Sequence, residues 1–134
     1  MPDIAKTGVR GEAAADYAAV FRGRLDEVGR ARVAVARNLA DCPVADDAVL
    51  IASELAANAV VHSGSRGQFF AVRCLVRGSS CRVEVEDCGG LWRPGPGDPS
   101  RPHGLDLVEA LAGPGNWGVA GDSSGRVVWA RLTW

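Results

Sequence analysis

Apolar and polar positions recur along this chain with two periods, and the two periods separate its strands from its helices. Residues 16–22 (Asp-Tyr-Ala-Ala-Val-Phe-Arg) read as a short first strand. From about Asp26 to Ala40, Val28, Ala31, Val35 and Leu39 return at helical spacing, while Arg30, Arg32 and Arg37 point elsewhere. Cys42-Pro43 ends that helix, Asp46 or Asp47 can cap the next one, and the second helix runs to about His62. Gly64 and Gly67 then break the chain. Residues 68–76 and 80–87 predict a β-hairpin around Arg77-Gly78. Pairing Val76 with Ser79 sets Cys74 opposite Cys81, Val72 opposite Val83 and Phe70 opposite Val85. These six share one face, and Arg73, Leu75, Arg82, Glu84 and Glu86 share the other. The next inward position is Asp87, either a carboxylate with a purpose or a turn-initiating residue at a strand end.

Residues 88–103 hold Pro94, Pro96, Pro99 and Pro102 with Gly89, Gly90, Gly95 and Gly97, so no regular structure is expected there. A loop of that length is usually a functional lid or a disordered segment. Helical spacing returns from Gly104 to Leu111, and two more strands follow, roughly Trp117–Ala120 and Arg126–Trp134. Residues 1–14 look like a flexible leader, which leaves residues 15–134 as one domain.

Composition narrows the class. A net charge of −1 argues against direct binding of nucleic acid or an anionic membrane, both of which select a concentrated basic face. The richest apolar run, Val49 to Val61, is interrupted by Glu54 and Asn58 and falls short of a membrane span. There is no charged-then-apolar secretion signal, so a cytoplasmic location with reduced thiols is expected. Cys42, Cys74, Cys81 and Cys88 form no C-x-x-C pair, and with only His62 and His103 to join them a zinc site is not expected.

The second helix carries the candidate chemistry. Glu54, Asn58 and His62 stand at i, i+4 and i+8 and form one polar ridge beside the apolar stripe of Ile51, Leu55 and Ala59. The ridge is either solvated or must be given partners, because an unpaired buried polar group costs about 1–3 kcal/mol. Three signals then follow in order: E-x-x-x-N-x-x-x-H on a helix, Asp87-x-Gly89 at a strand end, and a glycine-rich segment leading into a helix at Gly104.

Together these resemble the ATP-binding domain of the GHKL superfamily, and Ser53-Glu54-Leu55 through Asn58-Ala59-Val60 to His62-Ser63 looks most like the small stand-alone anti-sigma-factor serine kinases of actinomycetes. The resemblance implies an α/β two-layer sandwich of the Bergerat type, a mixed, mostly antiparallel sheet with three helices on one face. It implies ATP and Mg²⁺ as cofactors, with Asn58 holding the metal and Glu54 as general base for a serine or threonine hydroxyl. Asp87 would accept a hydrogen bond from the adenine amino group, and Gly89 would let the backbone pass close to the base. His103, Gly104 and Leu105, at the start of the third helix, would face the phosphates. It further implies a regulator of transcription whose partners are a sigma factor and an anti-anti-sigma antagonist, and family members often form homodimers.

Two departures stand beside that pattern. Pro102 replaces the first glycine of the second glycine box, and proline has no amide to offer a phosphate. Val127 replaces the threonine that usually serves the adenine. Both point to an alternative, a catalytically inactive, weakly nucleotide-binding partner module of the same fold. The chain has no P-loop, so any triphosphate site here is of another kind.

Overall fold

The computed structural model describes residues 15–62, 68–88, 105–122 and 124–134, in which the alternating stretches form one sheet and the helical stretches cover one of its faces. In chain order these are β1 (Ala15–Arg22), α1 (Leu25–Asn38), α2 (Ala45–His62), β2 (Phe69–Arg77), β3 (Ser80–Asp87), α3 (Leu105–Ala112), β4 (Trp117–Asp122) and β5 (Gly125–Thr133). The sheet order is β1-β2-β3-β5-β4. Every ladder among these strands is antiparallel, so the parallel pairing allowed for in a mixed sheet is absent from them. The reason at β1 and β2 is topological. Two helices separate them, α1 leads away and α2 leads back, so β2 starts beside the end of β1 and runs the other way.

The hairpin differs from its expected register by two residues. Val76 lies opposite Cys81 and Arg77 opposite Ser80, so Cys74 faces Val83 and Val72 faces Val85. The turn is therefore Gly78-Ser79, with Gly78 at φ 55°, a backbone state that glycine reaches without a Cβ clash. A slip of two preserves the side-chain faces. Phe70, Val72, Cys74, Cys81, Val83 and Val85 are all buried, as the alternation predicts.

Val28, Ala31 and Val35 of α1 are buried, and so is Leu39, whose N–H closes the helix on the Val35 carbonyl. Because α2 starts at Ala45, Asp46 and Asp47 lie within its first turn and are not its cap. There they complement the positive end of the helix dipole. Helix α2 is the central one, packed on β2, β3 and β5 and flanked by α1 and α3. Its buried side chains Ala48, Ala52, Ala56 and Ala59 are small, which lets sheet and neighbouring helices approach closely around Ile51 and Leu55.

The sheet's other face is a charged ladder. Arg73 donates to Glu84 at 2.8 Å and to Glu86 at 2.9 Å, and Arg82 donates to Glu84 at 2.6 Å. The Arg82 guanidinium also lies 4.4 Å from the centre of the Trp129 ring. Burial pushes the Glu84 carboxyl upward, but the hydrogen bonds from Arg73 and Arg82 outweigh it and hold the group below the ordinary carboxylate range. This layer lies on the side of the sheet away from the helices.

Candidate functional site

Antiparallel pairing gathers several chain ends at one end of the sheet. Arg22 lies beside Phe69, Ala71 beside Glu86, and Asp87 beside Arg126, while Asp122 and Gly125 flank the adjoining turn. The Cys88 thiol ties the end of β3 to β2 by donating to the Phe69 carbonyl at 3.2 Å. Helix α2 reaches this same end, because only residues 63–68 separate His62 from Phe69. Its last two turns carry Asn58.

Asn58 is 8% exposed, and among the described residues its Nδ2 atom is buried without a hydrogen-bond partner. The solvated-ridge alternative therefore fails at Asn58. Glu54, one turn earlier, is half-buried beside the buried Ser53 and Leu55. The third member of the ridge, His62, ends α2. Asp87 is inward on β3 and 6% exposed, as continued alternation from Val85 requires. The strand that carries it is one that α2 packs against. Leu105 opens α3, is buried at 3% exposure, and belongs to a helix packed on α2, β4 and β5. The far end of that helix is held where Trp117 Nε1–H donates to Glu109 at 3.0 Å. Gly89, His103 and Gly104 lie outside the described residues, as does Pro102.

The structure corrects one sequence expectation here and adds a residue. Val127 lies opposite Glu86, on the sheet face turned away from the helices, so its identity does not bear on a ligand of the inner face. The inner-face neighbour of Asp87 on β5 is Arg126, with Gly121 of β4 beyond it. A carboxylate and a guanidinium thus stand side by side at the end of an otherwise apolar face. The alternation of Val128, Ala130 and Leu132 was the available signal for Arg126, since it continues inward by one more step.

A metal held by protein alone needs several ligands, and no group of three or more His, Cys, Asp or Glu side chains that could hold one occurs among the described residues. Magnesium carried on a triphosphate needs only one or two protein oxygens. The Asn58 carboxamide fits that requirement, and its orphaned nitrogen fits a neighbouring phosphate oxygen.

No protein-family model matches the chain, and no curated protein does. Among solved structures, the crystal structure of the RsbU and RsbW domains of Rv1364c from Mycobacterium tuberculosis is similar over 87% of this chain, with a TM-score of 0.62 and 17% identity. The chain shares a fold with that structure. It spans 32% of that structure's chain, so the likeness concerns one portion of a longer polypeptide. Among the described residues, no helix is long and apolar enough to cross a membrane.

Proposed function

We propose that this chain is an ATP-binding regulator of the anti-sigma type, which transfers the ATP γ-phosphate to a serine or threonine of a protein antagonist. The observation that carries this reading is Asn58, a buried carboxamide whose donor is unmet among the described residues, on the helix that also bears Glu54. A buried amide left unmet costs about 1–3 kcal/mol, a cost that a bound phosphate would offset. In this reading the Asn58 oxygen meets Mg²⁺, which when bound supplies positive charge to the phosphates. Glu54 accepts the proton of the incoming hydroxyl, a role worth roughly 10²–10⁴ in rate. Asp87 orients the base, and the backbone at Leu105 turns the positive end of α3 toward phosphate. Gly89, His103 and Gly104 complete the site by resemblance. The partners are a sigma factor and its anti-anti-sigma antagonist, and the setting is the cytoplasm. The fold shared with a structure named for an RsbW domain supports the regulatory part.

Arg126 favours a second reading, a non-catalytic partner-binding module. A guanidinium directly across from Asp87 competes for the carboxylate that would hold the base. Titration calorimetry with ATP, ADP and Mg²⁺ separates the two. Binding that Asn58→Ala abolishes supports the kinase reading, and no heat at millimolar nucleotide supports the module. If nucleotide binds, Glu54→Gln should keep that binding and lose label transfer to the antagonist. Equal labelling by Glu54→Gln removes Glu54 from the chemistry.

A further inference from the structure

Three of the four thiols meet at the end of the core farthest from Asn58 and Asp87. Cys42 sits in the turn between α1 and α2, where its N–H donates to the Leu39 carbonyl at 2.9 Å and its carbonyl accepts from Ala45 N–H at 3.0 Å. Its side chain is half-buried and packs on the core. It also lines a hollow of about 320 Å³ together with Leu39, Pro43, Val76 and Trp134. Val76 lies directly opposite Cys81 in the β2–β3 hairpin, and Cys74 lies one inward step deeper along β2. Cys81 S–H donates to the Cys42 sulfur, so these two thiols touch. Cys88 is at the other end of the sheet, beside Phe69, and the seven residue steps from Phe69 to Val76 span about 23 Å.

The two touching thiols differ in access. Cys42 faces a hollow, whereas Cys81 is wholly buried. An oxidant arriving from solvent therefore meets Cys42 first, and the oxidised Cys42 has Cys81 as its neighbour. The trio does not make a metal site, since no group of three or more His, Cys, Asp or Glu that could hold an ion occurs among the described residues.

We propose that Cys42 and Cys81 form an oxidative modification site for hydrogen peroxide, at which they close a disulfide that staples the α1–α2 turn to β3. In the first step the Cys42 thiolate attacks one peroxide oxygen. The O–O bond breaks, the other oxygen leaves as hydroxide and takes a proton to become water, and Cys42 becomes a sulfenic acid. In the second step the Cys81 sulfur attacks the Cys42 sulfur, the S–O bond breaks, and the Cys81 proton leaves with the hydroxyl as a second water. Two thiols and one peroxide give one disulfide and two waters.

Burial, with Cys42 close by, pushes the Cys81 thiol up to about 12, which leaves roughly one part in 10⁵ as thiolate at pH 7. Direct contact offsets that scarcity, because well-oriented groups within one molecule react with effective molarities of about 10⁵–10⁸ M. Cys81 is thus closed to reagents in solvent and open to its neighbour. The bond would fix the start of α2, the helix that bears Glu54 and Asn58, on the sheet. This inference does not depend on nucleotide binding.

The test treats the full chain, dilute and folded, with hydrogen peroxide, and then digests it with trypsin under non-reducing conditions. Cleavage after arginine places Cys42 in peptide 38–66, Cys74 in 74–77, Cys81 in 78–82 and Cys88 in a peptide that begins at Val83. Mass spectrometry should find 38–66 joined to 78–82 at least about tenfold over every other pairing, and dithiothreitol should release it. In concentrated urea that preference should vanish. Cys74→Ala should keep the cross-link, and Cys81→Ala should lose it. Cys42→Ala, at a half-buried turn, should lose it too and keeps the test intact if Cys81→Ala does not fold. Oxidation of Cys42 to a sulfinic acid with Cys81 untouched overturns the inference. So does a leading pairing with Cys74 or Cys88, or the same mixture of pairings in the folded and urea-unfolded chains.

Discussion

At the scale of the residue, Asn58 joins stability to function. A polar side chain 8% exposed, with an amide nitrogen unmet among the described residues, is a standing cost to the ligand-free fold. Asn58→Leu, which keeps the volume and removes the amide, should therefore stabilise the free protein by roughly 1 kcal/mol. The same change should remove nucleotide-dependent stabilisation, and thermal melts with and without Mg-ATP would read both effects. A destabilised Asn58→Leu protein would mean that the amide already has a partner. Gly121 belongs to the same scale. It sits at φ 97°, and a Cβ there would collide with the Gly125 carbonyl oxygen. Gly121→Ala should lower stability by about 1–3 kcal/mol in denaturant melts, through strain at the β4–β5 turn next to Arg126. Asn58 was legible from the sequence because its helical spacing from Glu54 is local. Its burial was not, because that depends on β3, a strand more than twenty residues further along the chain.

At the scale of the element, the helices and strands follow from periodicity, and the deviations have local causes. The hairpin register moved by two because Gly78 occupies the first turn position, where positive φ is needed. Only an even shift leaves the apolar set inward, so the packing expectation survived a wrong pairing. The outer ladder of Arg73, Glu84, Arg82 and Glu86 makes a prediction about acid. Since the folded Glu84 carboxyl lies below its ordinary value of 4.5, its stabilising effect is fully present above that pH. It is lost as pH falls through the lowered value, where the folded carboxylate takes up a proton. Glu84→Gln should lower the melting temperature at pH 7 and flatten its decline below about pH 4.5, so that the two proteins converge in acid. An unchanged acid profile would show that the ladder contributes nothing there.

At the scale of the whole molecule, burial sorts the four cysteines, all of them free thiols. Cys74 and Cys81 lie on the inner face, where burial, aided by the nearby Cys42, pushes the Cys81 thiol up to about 12 and burial likewise raises Cys74. Cys88 is exposed and Cys42 half-buried. Thiol labelling at neutral pH should therefore reach Cys88 first and leave Cys74 and Cys81 protected until global unfolding. Mass spectrometry of partly labelled protein would check this order, and early labelling of Cys74 would contradict a closed two-layer core. By itself, the order of residues determined where strands and helices form, which face of each is apolar, and that Glu54 and Asn58 share a ridge. All of these depend on neighbours within a few positions. Only the tertiary structure decided that Arg126, not Val127, stands beside Asp87 and that Asn58 is buried. Those outcomes arise from pairing across long stretches of chain, where strand order and register, rather than local spacing, set which side chains meet.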